Sequence, residues 1–336
     1  MKHLMIKTKR LLCLGFILLL GLQCIEKQEV SEIFQHPVEE GPKPWTSTDF
    51  EPTEADFTFA IISDLNGGER PGVYSGAVEQ LNALDPTFVL SVGDLIDGGT
   101  EDALQLKKEW DSFDARTARL KMPFFYLGGN HDLTNVAMRD FWKNRYGPRY
   151  YHFRYDDVLF LMMDSEDYSE KRMMEIYHAR DTAIRILDGD LEGDYLESTY
   201  YHMPERRVGS MGKEQLAYFR NALDEHSDAR WTFVLMHKPL WMREDSQGLG
   251  PLEELLKSRD FTVISGHFHS FSHRKRHGMD YMILGTTGGS QNPEDPNSFD
   301  HISLIRMDET PVITHLKMEG ILPGTGPVET EDSKDP

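Results

Sequence analysis

Cysteine is almost missing from this chain of 336 residues. Only Cys13 and Cys24 occur, so no disulfide framework can brace anything beyond residue 24. Long apolar runs are missing as well: residues 11–22 are apolar, but they fall short of the ~20 residues that a membrane-spanning helix needs. Positive charge is scarce, with 36 Lys and Arg against 56 Asp and Glu and a net charge of -20. Such a surface repels phosphate backbones, which argues against nucleic acid as a partner. It also slows any anionic substrate unless the site itself is locally cationic. The apolar share, 39%, is that of an ordinary globular protein, and the length allows one large domain or two small ones.

The N-terminus reads as a targeting segment. Lys2, Lys7, Lys9 and Arg10 precede the apolar stretch, and Cys24 follows it. This predicts a signal peptide over residues 1–23, of the lipoprotein type, with Cys24 as the acylated residue. Gly21 and Gln23 depart from the residues usual before such a cysteine. The expectation is an exported protein, lipid-anchored to a bacterial membrane through Cys24, with its domain in the periplasm or at the cell surface. Residues 24–54 are charged and carry Pro37, Pro42, Pro44 and Pro52, the composition of a tether. The domain is expected over residues 55–320, and residues 321–336 as a flexible tail.

Within the domain, short apolar runs alternate with helical spacing. The runs 57–62, 88–92 and 124–127 predict strands, and Ala77, Leu81 and Leu84 mark a helix. Asp156-Asp157 reads as a hairpin turn between two strands. Leu216, Phe219 and Leu223 predict a helix before a strand at 231–236, Leu252, Leu255 and Leu256 another before a strand at 261–265, and three further strands close the chain. The fold class is α/β, with two packed β-sheets flanked by helices. Residues 165–210 break the pattern and are expected to be an inserted subdomain or lid.

Five polar clusters each follow one of the apolar runs. They are Asp64-Leu65-Asn66, Gly93-Asp94-Leu95-Ile96-Asp97, Gly129-Asn130-His131-Asp132, His237 and Gly266-His267-Phe268-His269. Strand ends could gather them along one sheet edge. Two divalent metals at a phosphoester need one anion to hold both, a role suited to Asp94, whose preceding glycine allows a tight turn. Asp64 adds a second carboxylate, Asn130 a neutral oxygen, and His237, His267 and His269 nitrogen donors. His267 and His269, two apart, would share a face of an extended chain.

Other features carry less. Residues 188–194 imitate the start of a calcium loop, but Thr199 stands where a bidentate Glu is needed. Arg274-Lys275-Arg276 reads as a solvated loop, and His152, His202, His273 and His277 as surface or packing residues.

The ordered clusters resemble the calcineurin-like metallophosphoesterase family, whose pattern is D-x-H, GD-x-x-D, GNH followed by an acid, H, and GH-x-H. The resemblance runs from about Phe57 to Met318 and implies a four-layer sandwich. By matched position it implies one metal at Asp64, Asn66, Asp94 and His269, and another at Asp94, Asn130, His237 and His267. The metals would be manganese, iron, zinc or magnesium. The implied reaction is hydrolysis of a phosphomonoester or phosphodiester by attack of a metal-bridging hydroxide on a small phosphorylated substrate. His131 would protonate the leaving group, and Asp97 would pair with His131 and raise its pKa. One position departs from the pattern: Asn66 stands where the family has histidine. A neutral, hard oxygen there should weaken the first metal site and favour manganese or magnesium over zinc. It also leaves open a second reading, a surface binding lipoprotein that keeps the fold without turnover.

Overall fold

The computed structural model describes residues 33–50 and 57–318, together with the backbone of 324–327. The expected signal peptide and Cys24 lie outside the described residues. One sheet contains β2 (Thr58–Ile62), β3 (Phe88–Ser91), β4 (Phe124–Phe125), β11 (Asp300–Met307), β12 (Pro311–Met318) and β13 (Gly324–Pro327), in the order β13-β12-β11-β2-β3-β4. The other holds β1 (Phe34–Gln35), β5 (Tyr151–Tyr155), β6 (Val158–Met162), β7 (Trp231–Leu235), β8 (Phe261–Ser265), β9 (Ser272–Arg276) and β10 (Met279–Ile283), in the order β1-β5-β6-β7-β8-β10-β9. β2, β3 and β4 run parallel, as do β6, β7 and β8. The C-terminal ends of each trio therefore open on the same side of their sheet, and these are the ends that carry the five clusters.

Strand periodicity sorts the apolar residues into layers. Phe59, Ile61, Phe88, Leu90 and Phe125 face the second sheet, where they meet Phe153, Phe160, Met162, Phe233 and Leu235. Phe153 and Phe160 stack at 4.6 Å, and Phe160 and Phe233 at 5.5 Å. Each buried phenyl ring contributes roughly 1.5–3 kcal/mol relative to an exposed one. The alternate residues Ala60, Ile62, Val89 and Phe124 face outward, against the helices Val73–Leu84, Ala103–Thr117 and Val136–Tyr146. Leu159, Leu161, Val234 and Val263 do the same toward Lys213–Glu225 and Gly250–Leu256. The result is the four-layer α/β sandwich expected from the sequence.

Three boundaries differ from expectation. Residues 33–50 are not a free tether. β1 pairs with β5, Trp45 bridges to Phe125, and Phe34 and Trp45 are buried in the inter-sheet core. Proline and charge suggest a solvated linker, but Phe34, Trp45 and Phe50 supply enough apolar surface to dock it. At the other end, β13 lies within the expected flexible tail and adds an edge strand beside β12. The basic run 274–276 belongs to β9, where Arg276 pairs with the buried Glu253.

The insertion 165–210 is helical. Its main helix, Glu170–Leu187, starts at Ser169, whose hydroxyl accepts from the Arg172 N–H, and buries Met173, Ile176 and Ala183 in a small cluster with Tyr168 and Tyr200. The acidic stretch after it ends one helix and starts the next: Gly189 turns with φ +81°, and the Asp194 carboxylate accepts from the Leu196 N–H. No helix among the described residues is long and apolar enough to cross a membrane.

Candidate metal centre

The five clusters converge. Asp64 and Asn66 follow β2, Asp94 follows β3, Asn130 follows β4, His237 follows β7, and His267 and His269 follow β8. Ligand atoms of Asp94, His237 and His267 lie within 4.8 Å of one another, and so do those of Asp64, Asp94 and His269. Asp94 is common to both groups. Asn130 Oδ1 stands 3.2 Å from His237 Nε2.

The loops reach this arrangement through unusual backbone. Asp64, Asp94, His267 and His269 all have positive φ, from 46° to 79°. Such conformations cost free energy and persist only where the surroundings over-determine them. His267 and His269 are therefore not on an extended chain with a shared face. Left-handed turns send them to different groups, His267 toward His237 and His269 toward Asp64. Close approach requires glycine at two neighbours. A Cβ on Gly129 would sit 2.2 Å from Asp94 Oδ1 and 2.7 Å from His237 Cγ, and one on Gly266 would sit 2.3 Å from Asp64 Oδ2.

Each imidazole is oriented by a backbone carbonyl. His237 Nδ1–H donates to the Val92 carbonyl at 2.9 Å, leaving Nε2 toward Asp94 at 3.1 Å. His269 Nδ1–H donates to the Ser290 carbonyl at 2.7 Å, leaving Nε2 toward Asp64 at 3.2 Å. His267 Nε2–H donates to the Arg206 carbonyl at 2.9 Å, leaving Nδ1 as its free nitrogen. Carbonyl-oriented imidazoles of this kind are a common support of metal ligands. Asn66 gives the most direct sign. Its amide N–H donates to the Ile96 carbonyl at 3.1 Å, while Oδ1 is buried with no partner. A buried acceptor left bare is costly, and a cation beside Asp64 and Asp94 would satisfy it. The donor set thus fits divalent metal.

Comparison with known proteins agrees with this geometry. The model of the family described as calcineurin-like phosphoesterase matches residues 57–271. The chain belongs to the calcineurin-like phosphoesterase family. Among solved structures, it is similar to a dimetal phosphatase from Danio rerio, with TM-score 0.56 and 16% identity over 80% of this chain and 98% of that one. It is also similar to PhoD, with TM-score 0.50 and 12% identity over 82% of this chain and 68% of that one. At these identities the likenesses show the fold. No curated protein matches.

The charges of this calcineurin-like site balance in pairs. Burial works against ionising Asp94, but His237 and His131 hold its carboxyl well below the usual range. Burial likewise opposes charge on His237 and His269, yet Asp94 raises the first to about 9 and Asp64 the second to about 9. Burial and the ammonium of Lys238 push His267 well down. Without metal, protons on His237 and His269 therefore neutralise the two carboxylates.

His131 differs from its expected setting. Its Nδ1–H donates to the backbone carbonyl of Asp97 at 2.7 Å, and the Asp97 carboxylate is exposed. Its pKa is not raised: burial and Arg180 lower it to about 4. The turn after Asp94 presents the main chain of Asp97, not its side chain, to the imidazole.

Three residues of the site have roles that the sequence does not give. Asp132, fully buried, accepts N–H groups from Asp94 and Gly129 at 2.8 Å each, and from Leu95 and Ile96. It ties two ligand loops together. Its place after His131 is visible in the sequence, but not its direction. Lys238, beside His237, forms a buried ion pair with Glu166 at 2.8 Å and donates to the Glu205 carbonyl, anchoring the insertion at both ends of its sequence. Arg180 reaches His131 from the insertion's long helix. Nothing in its sequence neighbourhood marks it.

Proposed function

We propose that this protein is a binuclear metal-dependent phosphoesterase acting on a small phosphorylated substrate outside the cytoplasm. The observation that carries the reading is the convergence of five loops from two sheets on two donor groups that share Asp94. One metal would be held by Asp64, Asn66, Asp94 and His269, the other by Asp94, Asn130, His237 and His267. Such a pair supplies Lewis acidity, lowering the pKa of water and offsetting charge on phosphoryl oxygens.

The chain's own groups do the rest. The His131 backbone N–H donates to Asp94 Oδ1 at 2.8 Å, which sets the shared carboxylate's orientation. The His131 side chain stands beside the metal centre, and it would serve as the proton donor to the leaving oxygen only when its Nε2 is released by the Arg180 guanidinium and bears a proton. The bare Asn66 Oδ1 favours a ligand role and speaks against a disabled site. Its neutral hard oxygen inclines the first metal site to manganese or magnesium; two tightly held zinc ions per chain after purification without added metal would contradict that preference. The N-terminal sequence supports export and lipid attachment at Cys24, and Cys24→Ala should release the protein from the membrane fraction.

The test is turnover of nitrophenyl phosphate and bis-nitrophenyl phosphate by manganese-reconstituted protein, with Asp94→Asn as control. Hydrolysis of either ester, lost in the variant, is expected. Bound metal with no hydrolysis of either ester would overturn the enzyme reading.

A further inference from the structure

An arginine from the insertion lies against His131 and forms no ion pair among the described residues. Arg180 is 9% exposed, and its Nη2 stands 2.9 Å from His131 Nε2. Chemistry fixes the direction of both imidazole bonds. The Asp97 carbonyl only accepts, so Nδ1 carries the proton, and a guanidinium only donates, so Nε2 offers its lone pair. Two glycines make room for the contact. Gly98 has φ +52°, and a Cβ there would meet the His131 carbonyl oxygen at 1.8 Å. Gly99 has φ +63°, and a Cβ there would lie 2.8 Å from Arg180 Nη1.

Several other arginines are paired with carboxylates, whereas Arg139 donates to the Tyr168 and Glu166 carbonyls. Arg172 bridges to Glu175 and Glu205, Arg149 to Asp164, and Arg145 to Asp111 and Asp114. No carboxylate pairs with Arg180 among the described residues. In a chain with 56 acidic residues against 36 basic ones, a nine-tenths-buried cation bonded to a neutral ring stands out. Burying an unpaired charge is unfavourable, and a guanidinium is well shaped to take oxyanions through paired N–H donors. Its neighbour His131 is joined to Asp94 through the backbone, so the guanidinium borders the metal centre.

We propose that Arg180 is a substrate-binding residue that receives an unesterified oxygen of the scissile phosphoryl group, and that it selects phosphomonoesters over phosphodiesters. A monoester dianion has three unesterified oxygens and two charges; a diester has two and one. A permanent cation added to a divalent-metal site favours the more highly charged group with the oxygen to spare. The insertion is then a part of the substrate site, supplying the residue that reads the ester's charge. This rests on the phosphoesterase reading above.

The experiment uses manganese-loaded protein and the variants Arg180→Met and Arg180→Lys. Calorimetric titration with inorganic phosphate is expected to show affinity at least tenfold weaker in Arg180→Met, partly restored in Arg180→Lys. Metal content should be unchanged, and the melting temperature unchanged or higher. For nitrophenyl phosphate, kcat/KM should fall about a hundredfold with a marked rise in KM, while the bis-nitrophenyl diester changes less than about threefold. Wild-type turnover with phosphate affinity unmoved by Arg180→Met would overturn the Arg180 assignment and leave the phosphoesterase reading standing. Equal losses on both esters would overturn the monoester selection. Arg180-dependent phosphate binding without wild-type turnover would support the assignment and remove the enzyme reading. A wild type that neither binds phosphate nor turns over would remove both.

Discussion

Asp132 offers the sharpest perturbation of the frame that holds the metal centre. Its Oδ2 accepts from the Asp94 and Gly129 N–H groups at 2.8 Å each, and its Oδ1 from Leu95 at 3.0 Å and Ile96 at 3.2 Å. Asp132→Asn keeps the shape and converts one oxygen into a donor. Whichever oxygen is lost, two buried N–H groups then face an N–H instead of an acceptor. At roughly 1–3 kcal/mol for each unsatisfied buried group, the variant should lose about 3 kcal/mol. For a domain of this size, that is a fall of roughly 6–12 °C in melting temperature. The damage should extend to function, because Asp94 is held at φ +59° by this scaffold and metal affinity should fall more than tenfold. Thermal unfolding with and without manganese, followed by metal analysis, measures both effects. Wild-type melting and full metal content would refute the reasoning. They would mean that the upward push of burial and of the Asp94 carboxylate on the Asp132 pKa outweighs its four N–H donors and holds it neutral, so that the amide replaces an equivalent neutral acid.

Further outcomes follow from the same geometry. Gly129→Ala places a Cβ 2.2 Å from Asp94 Oδ1 and 2.7 Å from the Asp94 backbone nitrogen, so the folded variant should retain less than about one metal per chain by elemental analysis. Metal binding at pH 7 should release at least two protons, one each from His237 and His269, whose metal-free pKa values are about 9, besides any from metal-bound water; calorimetry in buffers of different ionisation enthalpy counts them, and no release would contradict the assignment. Acid should destabilise the fold through His152, His301 and His315, which burial first of all lowers to about 4, 4 and 3. Their folded pKa values lie below the unfolded value, so the unfolded state binds more protons: stability is full above about pH 6.5 and falls by roughly 3–4 kcal/mol per pH unit near pH 5. Denaturant titrations across that range check the slope, and a flat profile would show these rings to be solvated.

The layered fold is legible in the sequence because strand runs such as 57–62 and 88–92 must bury both faces, which only helices and a second sheet can cover. The metal-ligand candidates are legible because each follows such a run. Asp97 misleads because a three-residue spacing does not say whether side chain or carbonyl faces the next loop. The segment 33–50 misleads because proline and charge mask Phe34 and Trp45, two buried anchors in an otherwise polar stretch. Arg180 is not legible at all. Its meaning lies in a contact between residues 49 apart, and in the lack of an ion pair to it among the described residues, and both exist only after folding.

The most direct test of the metal centre is anomalous diffraction from crystals of the manganese-loaded protein. The expected result is two ions, one within bonding reach of Asp64, Asn66 Oδ1, Asp94 and His269, the other of Asp94, Asn130, His237 and His267. A single ion, or two ions with Asn66 Oδ1 outside bonding reach of both, would contradict a centre in which five loops converge on one shared carboxylate.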